Sequence, residues 1–444
     1  MDTSALRNVL ALTARPDIIS FAGGLPAPEA FPVEALRRAA DKVLSARGPA
    51  ALQYSASLGL SSLREKLARR HRAQGISCTA DDILMVSGSQ QGLDLAGKVF
   101  LEPGDAVLCE NPTYLAALTA FRSYECQPLP VETDDEGMVL EDLERKLAAH
   151  PEAKLMYIIP TFQNPTGKTW SLERRKGVLA LAERYGLPIL EDNPYGDLRY
   201  EGEPVPTLKS MDTAGIVTYM GSFSKVLSPG LRLGWLIAAP ALLEKYASAK
   251  ECADLQTSTL SQMVADTYLE DNDLDANIRR ISALYKKRRD LMLSCLERDL
   301  PAGASCTHPQ GGLFLWVTLP EGIDTTALMP VMAARKVAYI PGVSFFAGQD
   351  EKRCLRLNYS NASEDQIVLG ASIMCRVFRD ALEKGYEQCS SRPSASWVQE
   401  GGVSHLVWST VDSRHIPSWH RHSNGSATRF IAGVFDSRLP PMLY

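Results

Sequence analysis

The stretch Ile216–Trp235, IVTYMGSFSKVLSPGLRLGW, holds the reading on which the fold turns. An apolar run, IVTYM, breaks into a turn of small residues that carries Lys225, and a second apolar run begins at Leu233. A lysine in a Ser/Gly turn at a strand end is displayed, and its small neighbours let a bulky group approach. Lysine amines form Schiff bases with carbonyl compounds. Ser222, Ser224 and Arg232 lie within seven residues of Lys225 and can hold a dianionic phosphate through hydroxyl bonds and a guanidinium fork. Taken alone, Lys225 reads as a solvated loop lysine; the serines, Pro-Gly and Arg232 at this spacing overturn that.

Outward from this stretch the same architecture repeats. ILMVSG, AVLCE, KLMYIIP, LPILED, IVTYMGS and LGWLIAA are short apolar runs bounded by Gly, Pro, Asp or Asn. Strands covered by helices on both faces lose polar alternation and look like this. Helical stretches lie among them, such as SLREKLARRHRAQ from Ser62 and SLERRKGVLALAERYG from Ser171, the latter with Gly186 as a stop. The alternation predicts an α/β domain with a mainly parallel sheet. After about residue 285 a charged helix, ALYKKRRDLMLSCLERDL, precedes GGLFLWVTLP, VAYIPG and CLRLNYS, the pattern of a smaller α+β domain. The expected division is an arm and helix over 1–44 joining the small domain, a large domain over 45–285, a small one over 286–385, and an atypical tail over 386–444. From Ser390 that tail is rich in Ser, Arg and Gly with poor apolar periodicity, and weak order is expected there. His415, His420 and His422 in it match no named metal spacing, so no metal is expected.

Composition bounds the function. With 444 residues, 45% hydrophobic and 22% charged, the chain can bury a large core and more than one domain. A net charge of −5 argues against a nucleic-acid surface. No apolar run reaches the about 18 residues of a membrane span, and the first residues lack the pattern of a secretory signal. Nine scattered cysteines without C-x-x-C spacing fit reduced thiols in a cytoplasmic protein.

Three further segments end apolar strands in chemically directed groups, and two isolated residues join them. In LPILEDNPYGDL, Asp192 closes a strand and Tyr195 follows; a carboxylate buried there needs a cation, which a protonated pyridine nitrogen supplies. Asp192 also suits a helix N-cap. In IIPTFQNPTGKTW, Asn164 closes another strand at the edge where open α/β sheets bind ligands, though NPTG is also an ordinary turn. In MVSGSQQGLDLAGKVF, Ser89 and Gln90 open a helix whose N–H groups can cradle phosphate, or simply cap it. Tyr114, in ENPTYLAAL, can stack on an aromatic ring or pack in the core, and Arg356, in CLRLNYS, sits in an apolar strand and needs a carboxylate from protein or substrate. Four independent structural accidents explain this set poorly.

Together the motifs SGSQQ, ENPTY, NPTG, EDNPYGDL, GSFSKVLSPGLRLGW and LRLNYS resemble the fold-type I, class I/II aminotransferases, over about residues 3–385. TSALRNVLALTARPDIISFAGGLPAPEAFP, LQYSASLG and PGVSFFAG look most like the 2-aminoadipate and kynurenine/aminoadipate branch. The resemblance implies a mainly parallel seven-stranded sheet in the large domain, pyridoxal 5′-phosphate as cofactor, and a homodimer with shared sites acting by a ping-pong cycle on an amino acid and a 2-oxo acid. It makes Lys225 the Schiff-base lysine and proton carrier, Asp192 the partner of the pyridine nitrogen, and Tyr195 with Asn164 the partners of the ring 3-oxygen. Tyr114 stacks on the ring; Ser89, Gln90, Ser222, Ser224 and Arg232 hold the phosphate, with Tyr54 reaching that of the other subunit. Arg356 clamps the substrate α-carboxylate with Asn164 helping, Gly24 lies on the arm covering the substrate, and Arg7 matches an arginine that meets a distal carboxylate. Leu60 departs from the Tyr often found there. The expected donors are 2-aminoadipate, glutamate, aromatic or branched-chain amino acids. A lyase or decarboxylase on the same fold is the competing enzyme. A non-catalytic regulator is disfavoured because the aminotransferase-like part begins within the first ten residues.

Overall fold

The computed structural model describes residues 17–348 and 351–385, and the strands Ser394–Glu400 and Val403–Ser409. Residues through Ser391 belong to one compact unit and those from Arg392 to a second.

In the first unit a short strand, β1 (Ile19–Ser20), precedes a central sheet of seven strands. These are β2 (Ile83–Val86), β3 (Ala106–Asn111), β4 (Gln127–Glu132), β5 (Leu155–Ile158), β6 (Ile189–Asp192), β7 (Val217–Ser222) and β8 (Gly234–Ile237), in the order β2-β8-β7-β6-β5-β3-β4. Only β8 runs against its neighbours; the pairs β7/β6, β6/β5, β5/β3 and β3/β4 are parallel. The six apolar runs of the sequence are six of these strands. The seventh, β4, reads QPLPVE and gives no apolar run: prolines at alternate positions cannot donate to a ladder, which confines it to the sheet edge.

The loss of polar alternation has the expected cause. In β5, Leu155 and Tyr157 face one buried cluster, with Val86, Leu190 and Met220, while Met156 and Ile158 face another, with Val131, Val178 and Leu187. Each strand residue therefore buries a side chain worth about 1.5–3 kcal/mol, and short strands suffice. The helix Leu172–Tyr185 on one of these faces is bounded as its sequence announces. The Ser171 hydroxyl accepts from Arg174 N, and Gly186 turns left-handed at φ 65°.

Beyond the sheet, the helix Leu274–Asp299 runs for 26 residues and starts well before Ala283, because Asp273 caps it by accepting from Asp275 N and Ala276 N. The expected boundary at 285/286 thus falls inside a helix, and that at 44/45 falls inside another, Val33–Ala51. The latter packs on Thr259–Asp271. Next come β9 (Ser305–Cys306), β10 (Phe314–Thr318), β11 (Val337–Ala338), β12 (Ile340–Pro341) and β13 (Cys354–Asn358). Strands β12-β13-β10-β9 make an antiparallel sheet, and β11 pairs in parallel with β1, which ties the N-terminal arm to this part of the fold.

In the second unit β14 (Ser394–Glu400) and β15 (Val403–Ser409) pair antiparallel, from Ser394↔Ser409 to Glu400↔Val403, a hairpin that the poor apolar periodicity did not announce. His415, His420 and His422 lie outside the described residues, as does the rest of the expected tail.

Candidate active site

Strands β2, β3, β5, β6 and β7 point the same way, so their C-terminal ends meet along one edge. There Gly24, Gln90, Tyr114, Asn164, Tyr195, Lys225 and Arg356 line one cavity of about 770 Å³. These residues are up to 332 positions apart in sequence (356 − 24) and come from seven segments: the central sheet brings five together, and the arm and β13 bring Gly24 and Arg356.

Lys225 follows β7 and donates from Nζ to the Gly24 carbonyl at 2.8 Å. Burial pushes its ammonium down to about 8, and the charges of Arg356 and Arg232 push the same way. The neutral, nucleophilic form is therefore more populated near neutral pH than in a free lysine.

Asp192 ends β6 and is only 2% exposed. Its Oδ2 accepts from the Tyr157 hydroxyl at 2.8 Å, whereas Oδ1 is buried without a partner. Burial pushes the carboxyl up to about 7, with the Tyr157 bond opposing. The N-cap reading of Asp192 fails, since no helix starts here. Beside it, Asn164 Nδ2 reaches the Tyr195 hydroxyl at 3.4 Å, so both groups point to one place. The Tyr195 ring stands edge-on to Phe314, centroids 5.6 Å apart.

Arg356, on β13, is 5% exposed. It donates to Asn164 Oδ1 at 2.8 Å and to the Ala22 carbonyl at 2.6 Å, and lies 4.2 Å from the Phe314 ring centre and 4.9 Å from that of Phe345. Its Nε is buried without an acceptor, and no carboxylate among the described residues pairs with it. Burial pushes its guanidinium down to about 10. Such a cation awaits an anion.

At the edge of the cavity a second group converges. Ser222 Oγ donates to Ser224 Oγ at 2.9 Å and accepts from Ser224 N at 3.0 Å. Arg232 donates to the Ser87 carbonyl at 3.2 Å and holds a left-handed backbone at φ 53°, rare for a side chain of its size. The helix Ser89–Phe100 starts here, its first N–H groups unpaired within the helix. Gly88, before it, has φ 78°, a backbone that favours glycine, and a Cβ there would lie 2.3 Å from Arg232 Nη2 and push the guanidinium aside. Hydroxyls, guanidinium and helix N-terminus make an anion cup.

Pyridoxal phosphate fits these residues. The partnerless Asp192 Oδ1 wants a buried N–H donor, Lys225 offers an amine in the same cavity, Tyr114 supplies a ring face, and the cup matches a phosphate. Tyr54 is not brought to the cavity: it is 77% exposed. Arg7 lies outside the described residues. Three participants escaped the sequence reading. Tyr157 is hidden in an apolar run by its ring, and Phe314 and Phe345, within GGLFLWVTLP and PGVSFFAG, flank Arg356.

Comparison with known proteins agrees. A family model described as aminotransferase class I and II matches residues 16–371. This chain belongs to that family. It is a pyridoxal phosphate-dependent aminotransferase of fold type I. It is similar to the aromatic-amino-acid aminotransferase 1 of Thermococcus litoralis, 46% identical over 86% of this chain and 93% of that one. The 2-aminoadipate transaminase of Thermus thermophilus is 39% identical, covering 86% and 95%. A kynurenine aminotransferase of Pyrococcus horikoshii, solved with PMP and kynurenine, superposes with a TM-score of 0.83 at 43% identity, covering 86% and 96%. Among the described residues this aminotransferase has no cluster of metal-ligating side chains and no helix long and apolar enough to cross a membrane.

Proposed function

We propose that the enzyme moves the amino group of an aromatic or branched-chain L-amino acid to a 2-oxo acid such as 2-oxoglutarate by a ping-pong cycle. The observation that carries this reading is the buried Arg356, paired with no acid among the described residues, in one cavity with Lys225: a carboxylate binder and an amine chemist set for an amino acid. The cavity is also lined by Leu25, Leu115, Phe314, Ile340, Phe345 and Asp94, and its only described cations are Lys225 and Arg356, which favours an uncharged side chain over an acidic one. The name of the relative from Thermococcus litoralis supports an aromatic donor. The 2-aminoadipate name supports an acidic one, and on that reading Arg7 meets the distal carboxylate.

When bound, pyridoxal phosphate supplies an aldehyde carbon open to amines and a protonated ring that draws electrons from the amino acid Cα. The chain's residues do the rest. Arg356 holds the α-carboxylate with two N–H groups, and Asn164 orients Arg356. Lys225 Nζ, in its neutral form, would take the Cα proton and deliver it to the cofactor's C4′ within the same half of the cycle, the second half running the transfer in reverse. Asp192 Oδ1 keeps the proton on the ring nitrogen, and Tyr195 with Asn164 holds the ring oxygen. Tyr114 covers a ring face, while Ser89, Gln90, Ser222, Ser224 and Arg232 hold the phosphate. Gly24 closes the arm over the substrate.

A second copy completes the site on this reading. Tyr54, Leu52 and Leu255 are each exposed, and on this reading a homodimer covers them and brings Tyr54 to the partner's phosphate. The division into arm, large and small domains at 44/45 and 285/286 is kept as hinging through the two helices that span those positions. All eight cysteines among the described residues are free, as suits a cytoplasmic enzyme.

The test is a panel of amino donors against 2-oxoglutarate, with product 2-oxo acids quantified. Phenylalanine, tyrosine or leucine should give the highest kcat/KM, with parallel double-reciprocal lines. A lead of tenfold or more for glutamate or 2-aminoadipate would transfer the proposal to acidic donors.

A further inference from the structure

Tyr157 sits within β5 and is fully buried. Its ring packs edge-on to Phe121, centroids 5.7 Å apart, which fixes where its hydroxyl points. That hydroxyl donates to Asp192 Oδ2 at 2.8 Å, across the parallel pair β5/β6. It leaves Asp192 Oδ1 as a buried oxygen without a donor. One carboxylate oxygen is thus claimed from behind and the other left for a ligand.

We propose that Tyr157 is a positioning residue for the reaction: its bond to Oδ2 aims Oδ1 at the ring nitrogen and, by favouring the carboxylate anion, keeps the shared proton on that nitrogen. This rests on the reading of Asp192 as the partner of the cofactor ring. A neutral donor stabilises a carboxylate more than a carboxylic acid, and does so most in a dry site. Burial acts the other way, pushing the Asp192 carboxyl up to about 7. Without Tyr157 the proton moves from the ring nitrogen toward Asp192, and the ring draws electrons less strongly. No other described side chain bonds to Asp192, so this duty falls to Tyr157 alone among them.

The experiment reconstitutes the enzyme with pyridoxal phosphate labelled with ¹⁵N in the ring and follows the nitrogen resonance against pH. Tyr157→Phe removes one oxygen and keeps the ring on Phe121. It should lower the midpoint between protonated and neutral ring by about one pH unit or more, since bonds to charged groups are worth at least that much. It should also lower kcat about tenfold with the donor KM unchanged, the same 1.36 kcal/mol per decade. In an Asp192→Asn background the same change should cost nothing further. An unmoved midpoint, or a loss that adds fully in the Asp192→Asn background, overturns the proposal. If Asp192→Asn alone keeps a protonated ring, the pairing of Asp192 with the ring is wrong, a failure distinct from that of Tyr157. Should Tyr157→Phe not fold, Tyr157→3-fluorotyrosine keeps the bond with a stronger donor and must raise the midpoint; no rise overturns the proposal equally.

Discussion

Replacing Arg356 by methionine should have effects of different size on stability and on catalysis. Burial brings the guanidinium from an ordinary 12.5 to about 10. At about 1.4 kcal/mol per unit, holding this charge in the dry site costs on the order of 3 kcal/mol of apoprotein stability. Its removal relieves that cost but leaves Asn164 Oδ1 and the Ala22 carbonyl without their donor, a penalty of about 1–3 kcal/mol each. The two roughly cancel, so the apoprotein of Arg356→Met should unfold within about 2 kcal/mol of the parent. Catalysis has no such compensation. Two charge-assisted bonds to a substrate carboxylate are worth about 1.5–3 kcal/mol each, and their loss lowers kcat/KM by about 10²–10⁴-fold. The assay pairs urea unfolding of the apoprotein with single-turnover amino transfer from phenylalanine and from phenethylamine, which lacks the carboxylate. Loss should appear with phenylalanine and hardly at all with the amine. Equal loss on both, or unfolding more than about 4 kcal/mol easier, would refute a substrate-directed Arg356 and make it a structural cation.

Capture of cofactor by the apoenzyme should accelerate as pH rises through about 8, because burial and two cations depress Lys225 and the neutral amine is the reactive form; a midpoint near the ordinary 10.5 would contradict this. Arg356→Met removes one like charge, favours the protonated amine, and should shift that midpoint upward, as stopped-flow absorbance can follow. Gly88→Ala forces a side chain into φ 78° and against Arg232, and should weaken cofactor binding at least about tenfold with a stability loss of about 1–2 kcal/mol; unchanged affinity by equilibrium titration would remove Gly88 from the cup. Tyr54→Phe should weaken cofactor binding about tenfold although Tyr54 is exposed in its own protomer, and mixed dimers with Lys225→Ala protomers should regain one tight site. If the mixed dimers bind no better than Tyr54→Phe alone, the site is not shared.

The candidate site residues stood out along the chain because each group sits at a fixed distance from a strand end. Lys225 among Ser222, Ser224 and Arg232, Asp192 at the close of LPILED, and Asn164 in NPTG are local patterns, and local patterns survive in one dimension. Six of seven sheet strands showed as apolar runs for the same reason: burial on both faces leaves a composition signal. The rest depends on pairings between distant residues. Strand β4 hid behind its prolines because an edge position imposes no apolar run. The helices crossing 44/45 and 285/286 continue because of capping and packing, which a change of composition does not locate. Whether Asp192 was a helix cap or a buried carboxylate was open until β5 set Tyr157 against one oxygen and left the other bare. Arg356 could have had a protein partner until the fold placed it between Phe314 and Phe345, 2.8 Å from Asn164 and paired with no acid among the described residues. Residue types set which reactions are possible, whereas burial and the absence of a counter-charge, properties of the packed molecule alone, decide which groups are left to meet a ligand.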